Sequence, residues 1–312
     1  MTKILVTGAN GFVGSALCAT LAERDISYTA ALRSKGGGAH DVAVGDLNAM
    51  TDWSHALDGC DSVVHLAARV HVMHDTSSNP LTAFRLVNVD ATMNLARQAV
   101  AAGVKRFVFV SSIKVNGEAT TDRPFTAFDR PAPDDPYGQS KLEAETALQE
   151  LARQTGLELV IVRPPLVYGP GVRANFHSLM KLVSLGLPLP LGAVSNRRSM
   201  VALDNLVDLL ILCCSHPAAS GQVFLVSDNN DVGITDLLRM LAAAMQKRSL
   251  LLPVPAAWLA AAARLAGKSS AADRLLGSLQ VDVQHTMQTL SWRPISSMEA
   301  ALRKTVAPFR RP

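Results

Sequence analysis

The stretch Lys3–Gly14, KILVTGANGFVG, decides the fold of this 312-residue chain. Its apolar and β-branched start predicts a short buried strand, and the run Ser15–Glu23 that follows has the apolar periodicity of a helix. Gly8, Gly11 and Gly14 lie between the two, where bare backbone N–H groups and a helix N-terminus can approach a pyrophosphate. The spacing G-x-x-G-x-x-G is one residue longer in its first gap than the usual dinucleotide fingerprint. We therefore predict a dinucleotide site, with a glycine-rich turn that binds no ligand as the alternative.

Strand and helix continue to alternate along the first half of the chain. Further strands are predicted at Tyr28–Leu32, Val42–Val44, Ser62–Leu66, Arg106–Ser111 and Leu157–Val162, and long helices at Leu81–Ala102 and Pro136–Gln154. This alternation is typical of an α/β fold and predicts a Rossmann-type doubly wound parallel sheet with right-handed crossovers.

The pattern becomes less regular after residue 170, which predicts a second unit. Helices are predicted at Ala174–Leu185, Leu203–Ser215, Thr235–Met245, Pro255–Ala266 and Ser297–Val306, short strands at Arg197–Val201 and Val223–Val226, and a loop at Leu187–Asn196. We expect a NAD(P)-binding domain over residues 1–170 and a smaller C-terminal α/β lobe for substrate over residues 171–312. A segment near residues 200–230 is expected to return to the first domain.

Composition and charge describe an ordinary globular chain. The apolar fraction is 48%, and the net charge of +4 suits a small acidic ligand without arguing for nucleic acid. The cysteines show no metal-ligand spacing, which favours reduced core residues; they are Cys18, Cys60, Cys213 and Cys214.

The sequence also gives an expectation about location. The first residues form a strand and a turn in place of a signal peptide. The longest apolar helix candidate, Pro255–Ala266, is too short to cross a bilayer and carries Arg264. We expect a cytoplasmic protein with no membrane insertion.

The end of the second predicted strand bears on the choice of cofactor. In a Rossmann unit an acid at this place bonds the free 2′-hydroxyl of NAD, whereas an arginine can pair with a 2′-phosphate. This chain has Arg33-Ser34-Lys35. We expect NADP(H) to be preferred, with NAD(H) as the alternative; a solvated loop charge is the other interpretation of Arg33.

Small or polar residues follow the next two strands. Asp46 and Leu47 are candidates for contact with the adenine, and Ala67-Ala68 would let a cofactor lie close to the carboxyl edge of the sheet. His65 lies inside an apolar strand, so we interpret it as a hydrogen-bonded core histidine.

Tyr137 and Lys141 are four residues apart at a helix start and therefore share a face. A nearby ammonium favours the phenolate and lowers the pKa of a tyrosine, which can then exchange a proton with a substrate hydroxyl during hydride transfer. Ser112, at the end of the preceding strand, is placed to bond the same oxygen. An ordinary helical pair is the alternative for the tyrosine and lysine, but the three elements in this order predict a hydride-transfer site.

These motifs resemble the extended short-chain dehydrogenase/reductases, and among them the nucleotide-sugar epimerase/dehydratase group. The matching segments, in the family's order, are TGANGFVG (7–14), GDL (45–47), HLAA (65–68), NV (88–89), SSIKVNG (111–117), YGQSK (137–141), RPPLVYGPG (163–171) and WRP (292–294).

The resemblance implies roles for individual residues. It implies the catalytic trio Ser112, Tyr137 and Lys141. It implies that the cofactor is lined by Gly8, Gly11, Phe12, Val13, Arg33, Asp46, Leu47, Leu66, Ala67, Ala68 and Pro164. Substrate contacts are implied at Lys114, Asn175, Phe176, Arg198 and Arg274, with a UDP-sugar as the small-molecule partner. A homodimer through the helices Leu81–Ala102 and Pro136–Gln154 is implied by analogy alone.

Departures from the family pattern narrow the expected activity. The acidic pair that related dehydratases use is replaced by Ile113-Lys114, so dehydration is not expected. Arg33 stands where UDP-galactose 4-epimerases carry an acid. The segments SSIKVNGE, AARVHVM (67–73) and RPPLVYGPGVRANF are similar to bacterial UDP-4-keto-6-deoxy-hexosamine 4-reductases and their epimerase-labelled relatives.

Three hypotheses follow for the function. The first is an NADPH-dependent 4-keto reductase of a UDP-4-keto-6-deoxy-N-acetylhexosamine in polysaccharide or O-antigen biosynthesis. The second is a UDP-hexose 4-epimerase, acting on UDP-glucose or UDP-N-acetylglucosamine with NAD retained. The third is a nucleotide-sensing or scaffold protein, which the presence of both Tyr137 and Lys141 disfavours.

Overall fold

The computed structural model describes residues 2–34, 36–70, 80–267 and 269–309. Lys35 and the segment His71–Met73 of the motif quoted above lie outside the described residues, as do Met1 and residues 310–312 at the bounds of the two predicted domains.

A parallel sheet forms the centre of the fold. The strands are β1 (Ile4–Thr7), β2 (Tyr28–Leu32), β3 (Asp41–Ala43), β4 (Ser62–His65), β5 (Arg106–Val110), β6 (Glu158–Arg163), β7 (Leu166–Tyr168), β8 (Met200–Ala202) and β9 (Val223–Leu225). Among the described residues, seven of them form one sheet in the order β3-β2-β1-β4-β5-β6-β9, with parallel pairing throughout. β7 and β8 pair in parallel outside it. The expected doubly wound sheet is confirmed.

Helices cover the sheet and build a second lobe. They are α1 (Phe12–Glu23), α2 (Ser54–Leu57), α3 (Pro80–Arg85), α4 (Thr92–Ala101), α5 (Pro136–Thr155), α6 (Ala174–Ser184), α7 (Leu203–Cys213), α8 (Ile234–Ala244), α9 (Ala256–Leu265), α10 (Ser269–Leu276), α11 (Gln284–Leu290) and α12 (Met298–Thr305). Short 3₁₀ turns occur at Ile113–Val115, Pro217–Ala219 and Ala307–Phe309. None of the helices in the described part of the chain is both long and apolar enough to cross a membrane.

The predicted helix over 81–102 is one rod with an irregular middle. α3 and α4 are joined by a π-helical turn, Leu86–Ala91. The sequence pattern does not predict α2, β7, α10 or α11, because each is short and becomes ordered through tertiary contacts. By contrast, α5 has clear sequence boundaries: the Asp135 carboxylate caps it, Pro136 occupies its first position, and Gly156 ends it at a φ of 77°.

Apolar residues cover both faces of the main sheet. On β6, Val160 and Val162 face one core while Leu159 and Ile161 face the other, as the two-residue period of a strand requires. The first of these cores also contains residues of α7, which packs against α1.

A separate core fills the C-terminal lobe, around Tyr168, Phe176, Leu238 and Leu302. The chain crosses between the two lobes more than once, since β9 completes the main sheet after β7, α6 and β8 have been built elsewhere.

Candidate active site

The glycine turn lies where the order of the sheet reverses, between β1 and β4. Ligands of open α/β sheets bind in the crevice at such a switch point. A Cβ added to Gly8, whose φ is +66°, would lie 2.9 Å from the amide nitrogen of Ala67, and one added to Gly14 would lie 2.1 Å from the carbonyl oxygen of Gly8. Backbone excludes side chains at both places, so the turn presents bare backbone of the kind that a dinucleotide pyrophosphate can approach; we call this turn the glycine cradle.

A buried hydroxyl is available at the same edge. Ser111, at the end of β5, is 4% exposed, and its Oγ has no hydrogen-bond partner among the described residues. Such an orphaned polar atom is uncommon in a core and fits a site that bonds a ligand. The sequence analysis noted Ser111 only as part of a strand end.

A series of side-chain hydrogen bonds links β4 to β1 below the crevice. Thr7 Oγ1 accepts the amide hydrogens of Leu66 and Ala67 at 3.2 Å each and lies 2.7 Å from His65 Nδ1. Since Oγ1 already accepts twice, its own hydrogen goes to Nδ1, and His65 Nε2 donates to Thr92 Oγ1 at 2.8 Å. Burial lowers the pKa of His65 to about 3, so the ring is neutral. The interpretation of His65 as a core histidine is confirmed.

Arg33 has a carboxylate beside it. Its Nε lies 2.9 Å from Asp46 Oδ1, and the two side chains are 80% and 82% exposed. Arg33 directly follows β2 and Asp46 lies shortly after β3, and their ion pair partly balances the positive charge of Arg33.

The other predicted cofactor residues have different surroundings. Gly11 is exposed before α1, whereas Phe12 and Val13, half-buried in its first turn, pack against the main core. Leu47 and Leu66 turn toward the cores on opposite faces of the sheet, and Ala67 and Ala68 follow β4. Pro164 is buried, and its carbonyl accepts the amide of Ile113 at 3.0 Å.

Lys141 is the most tightly held of the predicted catalytic trio. It is 2% exposed, its Nζ donates to the carbonyl of Val110 at 2.8 Å, and it lies 4.3 Å from the centre of the Phe109 ring. Burial, opposed by the Glu145 carboxylate, lowers the pKa of Lys141 to about 7. The amine is therefore fixed at the carboxyl end of β5, close to Ser112.

Tyr137 begins the same helix, one turn before Lys141. Its half-buried ring meets Phe84 of α3 edge-on at 6.0 Å between centroids. Burial, and next the Asp135 carboxylate, raise the pKa of Tyr137 above its ordinary value. A nearby cation is then needed for the phenol to act as a base at neutral pH.

The turn after β5 brings Ser112 to this helix. Ser112 caps the 3₁₀ turn, and its Oγ accepts the amide of Lys114 at 3.3 Å, which leaves the hydroxyl hydrogen to donate. A Cβ on Gly138 would lie only 2.8 Å from the carbonyl oxygen of Lys114. The turn that carries Ser112 and the first turn of α5 are thus in close contact.

The π-helical turn positions a residue that the sequence analysis left without a role. Asn88 Oδ1 accepts the amide of Arg69, and its Nδ2 donates to the Arg69 carbonyl at 3.0 Å and to Ser140 Oγ at 3.0 Å. Ser140 in turn donates to the carbonyl of Tyr137 at 2.8 Å. Asn88 therefore links the loop after β4 to the turn that carries Tyr137.

Two carboxylates hold Lys114. Its Nζ donates to Glu118 Oε1 at 2.7 Å and also to Asp135. Although burial acts against its charge, these partners raise the pKa of Lys114, so it stays an ammonium. The sequence analysis named neither acid, yet Asp135 is detectable as an aspartate before Pro136 at a helix start.

Three of the predicted substrate residues, Lys114, Arg198 and Arg274, are connected by electrostatic and hydrogen-bond contacts. The negative charge of Glu118 acts on Arg198 as well as on Lys114, and Arg198 Nη1 donates to the carbonyls of Arg274 and Gly277 at 2.8 and 3.0 Å.

The other two predicted substrate residues lie on α6. Asn175 is exposed, whereas Phe176 is 2% exposed and stacks on Tyr168 at 5.5 Å. The Phe176 side chain belongs to the core of the second lobe.

Raising the pH from about 7 to about 9 is expected to stabilise the ligand-free protein through Lys141. In this range the unfolded chain, with an ordinary lysine pKa of 10.5, keeps a proton that the folded chain has released. The gain is expected to approach about 1 kcal/mol per pH unit. Thermal denaturation measures it, with Lys141→Met as the control that lacks the titrating group. Equal pH dependence of Tm in the two proteins would contradict the burial of the amine.

Sequence comparisons show the family to which the chain belongs. Residues 4–227 match the family described as the NAD dependent epimerase/dehydratase family. A Vibrio cholerae protein named UDP-glucose 4-epimerase is 49% identical over 98% of this chain and 95% of its own length. An Escherichia coli O157:H7 protein named N-acetyl-alpha-D-glucosaminyl-diphospho-ditrans,octacis-undecaprenol 4-epimerase is 30% identical over 81% of this chain and 76% of its own.

A solved structure extends the comparison to the fold. The UDP-N-acetylglucosamine 4-epimerase of Bacillus cereus superposes with a TM-score of 0.81 over 100% of both chains, at 22% identity. With the glycine cradle, the Tyr–Lys helix and the strand-end serine in place, the chain belongs to the NAD-dependent epimerase/dehydratase family, within the extended short-chain dehydrogenase/reductases.

Proposed function

We propose that the protein is a UDP-hexose 4-epimerase that keeps its NAD(H) bound through turnover. The observation that carries the proposal is the likeness of nearly the whole chain, at 49% identity, to a protein named UDP-glucose 4-epimerase. The arrangement of Ser112, Tyr137 and Lys141 at one edge of the sheet supports it, because reversible oxidation at a sugar carbon needs one acid–base group and one oxygen-binding group.

In this proposal each member of the trio has one task. A nicotinamide dinucleotide in the glycine cradle supplies the hydride acceptor and donor. Tyr137 removes the proton of the C4 hydroxyl and later returns it, while Ser112 donates its hydroxyl hydrogen to the same oxygen. When it is protonated, Lys141, held against the Val110 carbonyl, stabilises the phenolate.

Arg198 is proposed to bind the diphosphate of the substrate. A guanidinium carries five N–H donors, and Nη1 of Arg198 is bonded to two carbonyls. The hydrogens on Nε and Nη2 could then face two phosphate oxygens. The Escherichia coli relative is also named for a diphospho-sugar, although its sugar is attached to a polyprenol.

The reductase hypothesis, which the sequence favoured, is the second candidate. Its preference for NADP(H) rests on Arg33, and the exposed ion pair of Arg33 with Asp46 is too weak to remove that preference. We expect NAD(H) because a retained NAD(H) accompanies the proposed epimerase activity. Cytoplasmic location, a homodimer through α3, α4 and α5, and a place in O-antigen assembly stay predictions.

Cofactor release and turnover distinguish the two activities. The purified protein is denatured, and the released nucleotide is identified by chromatography; UDP-glucose and UDP-N-acetylglucosamine are then supplied, with the product followed by NMR. We expect bound NAD(H) and a C4 epimer formed with no net change in nicotinamide absorbance. Consumption of NADPH in proportion to a reduced UDP-4-keto sugar, with no epimer formed, would overturn the proposal.

Arg33→Ala provides a second readout in the same experiment. If NAD(H) is the cofactor, the variant keeps its bound nucleotide and its turnover, because the 2′-hydroxyl needs no cation. A loss of about tenfold or more would favour NADP(H), since a 2′-phosphate would lose its charge partner.

A further inference from the structure

Helix α9 presents an apolar stripe to the outside. Trp258, Ala261, Ala262 and Leu265 recur at positions i, i+3, i+4 and i+7, and all four are exposed. Trp258 is 71% exposed and Leu265 is 92% exposed. This spacing is the one by which a helix normally attaches to a core.

The stripe is not the face by which α9 attaches. The helix packs through its opposite side, where Leu259 contacts the core of the second lobe and Ala260 and Ala263 are half-buried. A helix that is apolar all round is usually buried all round. Within the described part of the chain, no residue of α9 is fully buried. The apolar residues on its outer face therefore pack against no other part of the described chain.

The strand-like segment before α9 is also apolar and exposed. Leu250 and Leu252 are 49% and 51% exposed, and their backbones are hydrogen-bonded to Leu189. Leu187, two residues earlier on the partner segment, is 57% exposed. We call these three leucines and the α9 stripe the apolar surface of the second lobe; exposed apolar side chains in this number are a mark of an interaction site.

Basic residues accompany this surface in the sequence. Residues 246–277 contain one acid and five basic residues: Asp273, and Lys247, Arg248, Arg264, Lys268 and Arg274. The net charge of this segment is therefore +4, which equals the net charge of the whole chain. Arg248 and Arg264 are exposed.

We propose that the apolar surface of the second lobe rests on an anionic lipid bilayer. An exposed apolar stripe with a tryptophan, flanked by arginine and lysine, is the pattern of a helix that lies in the membrane interface. Trp258 and Leu265 enter the headgroup region, and the exposed Arg248 and Arg264 meet lipid phosphates. With ten residues, α9 lies on the bilayer and does not cross it.

Charge argues against a second copy of this chain as the occupant. A two-fold contact would bring the same patch of each subunit together, so the exposed arginines Arg248 and Arg264 of one copy would lie near those of the other. An anionic bilayer offers the opposite sign. The proposal does not depend on the enzymatic activity proposed above.

Tryptophan fluorescence of the full chain tests the proposal. Trp53 and Trp292 are 1% and 4% exposed, so a change in emission on adding vesicles reports Trp258. The probe is vesicles of phosphatidylcholine with about a quarter phosphatidylglycerol, compared with phosphatidylcholine alone. We expect a blue shift, quenching by brominated acyl chains and co-sedimentation with the anionic vesicles, each weaker without phosphatidylglycerol.

Two variants separate the apolar and charged contributions. Leu265→Ser keeps the fluorescent reporter and is expected to weaken partitioning about tenfold. Arg248→Gln/Arg264→Gln is expected to weaken binding about tenfold on anionic vesicles and little on neutral ones. Phe128→Ser is the matched control, since Phe128 is 76% exposed outside this surface, and it is expected to bind as the wild type does. Circular dichroism verifies that each variant is folded.

Three results would overturn the proposal. The first is the absence of any spectral shift or co-sedimentation with the anionic vesicles. The second is equal partitioning of the wild type and a folded Leu265→Ser variant. The third is a dimer in vesicle-free solution that already shields Trp258 from a soluble quencher and is lost in Leu265→Ser.

Discussion

Replacement of Tyr137 by phenylalanine is expected to lower kcat by about 10²- to 10⁴-fold, the usual contribution of a positioned acid–base group. The change removes one oxygen and leaves the contact between the ring and Phe84, so folding should be unaffected. The measurement is the rate of C4 epimerisation of UDP-glucose, followed by NMR at saturating substrate.

Tyr28→Phe is the matched control for this prediction. Tyr28 lies on β2, away from the turn that carries Ser112, and its ring contacts His40. Its loss of a hydroxyl should change kcat less than about twofold. Retention of most of the activity by Tyr137→Phe would contradict the acid–base role and would restore the hypothesis of a nucleotide-binding protein without catalysis.

Replacement of Glu145 by glutamine is expected to lower the free energy of unfolding by about 3–5 kcal/mol. Glu145 on α5 and Arg163 on β6 form a bidentate pair at 2.9 and 2.5 Å, and their side chains are 2% and 5% exposed. Arg163 also donates to Asn116 Oδ1 at 3.0 Å, so the guanidinium is held in place. Without the carboxylate, a buried cation loses its counter-charge. Urea denaturation measures the change.

Glu150→Gln controls for the removal of a carboxylate from the same helix. Its partner Arg153 is one turn away, and the two side chains are 51% and 73% exposed. Pairs of this kind contribute about 0–1 kcal/mol, so this variant should unfold close to the wild type. An equally small effect of Glu145→Gln would mean that water reaches Arg163, contrary to its burial.

The sequence was sufficient for the central part of the fold and for the placement of Tyr137 and Lys141 at the start of one helix. A glycine turn between a strand and a helix, strand–helix alternation and a Tyr-x-x-x-Lys helix start are local patterns, and each has a local physical cause. The cap of α5 is one example, since Asp135, Pro136 and Gly156 encode its two ends. These features needed no knowledge of distant contacts.

Other features depend on contacts between distant segments. The π-helical turn that positions Asn88 is not encoded by any single residue. The hydrogen-bond partners of Asn88, Arg69 and Ser140, lie far from it in the sequence. The partner of Arg33 is Asp46, which follows a different strand, so this ion pair could not be predicted from the local sequence. Phe176 matched a family position, but its side chain turned inward because Tyr168 offered a stacking surface.

The place of β9 in the main sheet has a consequence for synthesis on the ribosome. β6 ends at residue 163, and its second neighbour, β9, begins at residue 223. At about 5–20 residues per second, the translating chain leaves that edge unpaired for several seconds. Unpaired edges attract other strands. The nascent chain therefore passes through a stage in which the first lobe is nearly complete but the edge of β6 is unpaired. In the cell, this exposed edge is where we expect a chaperone to bind.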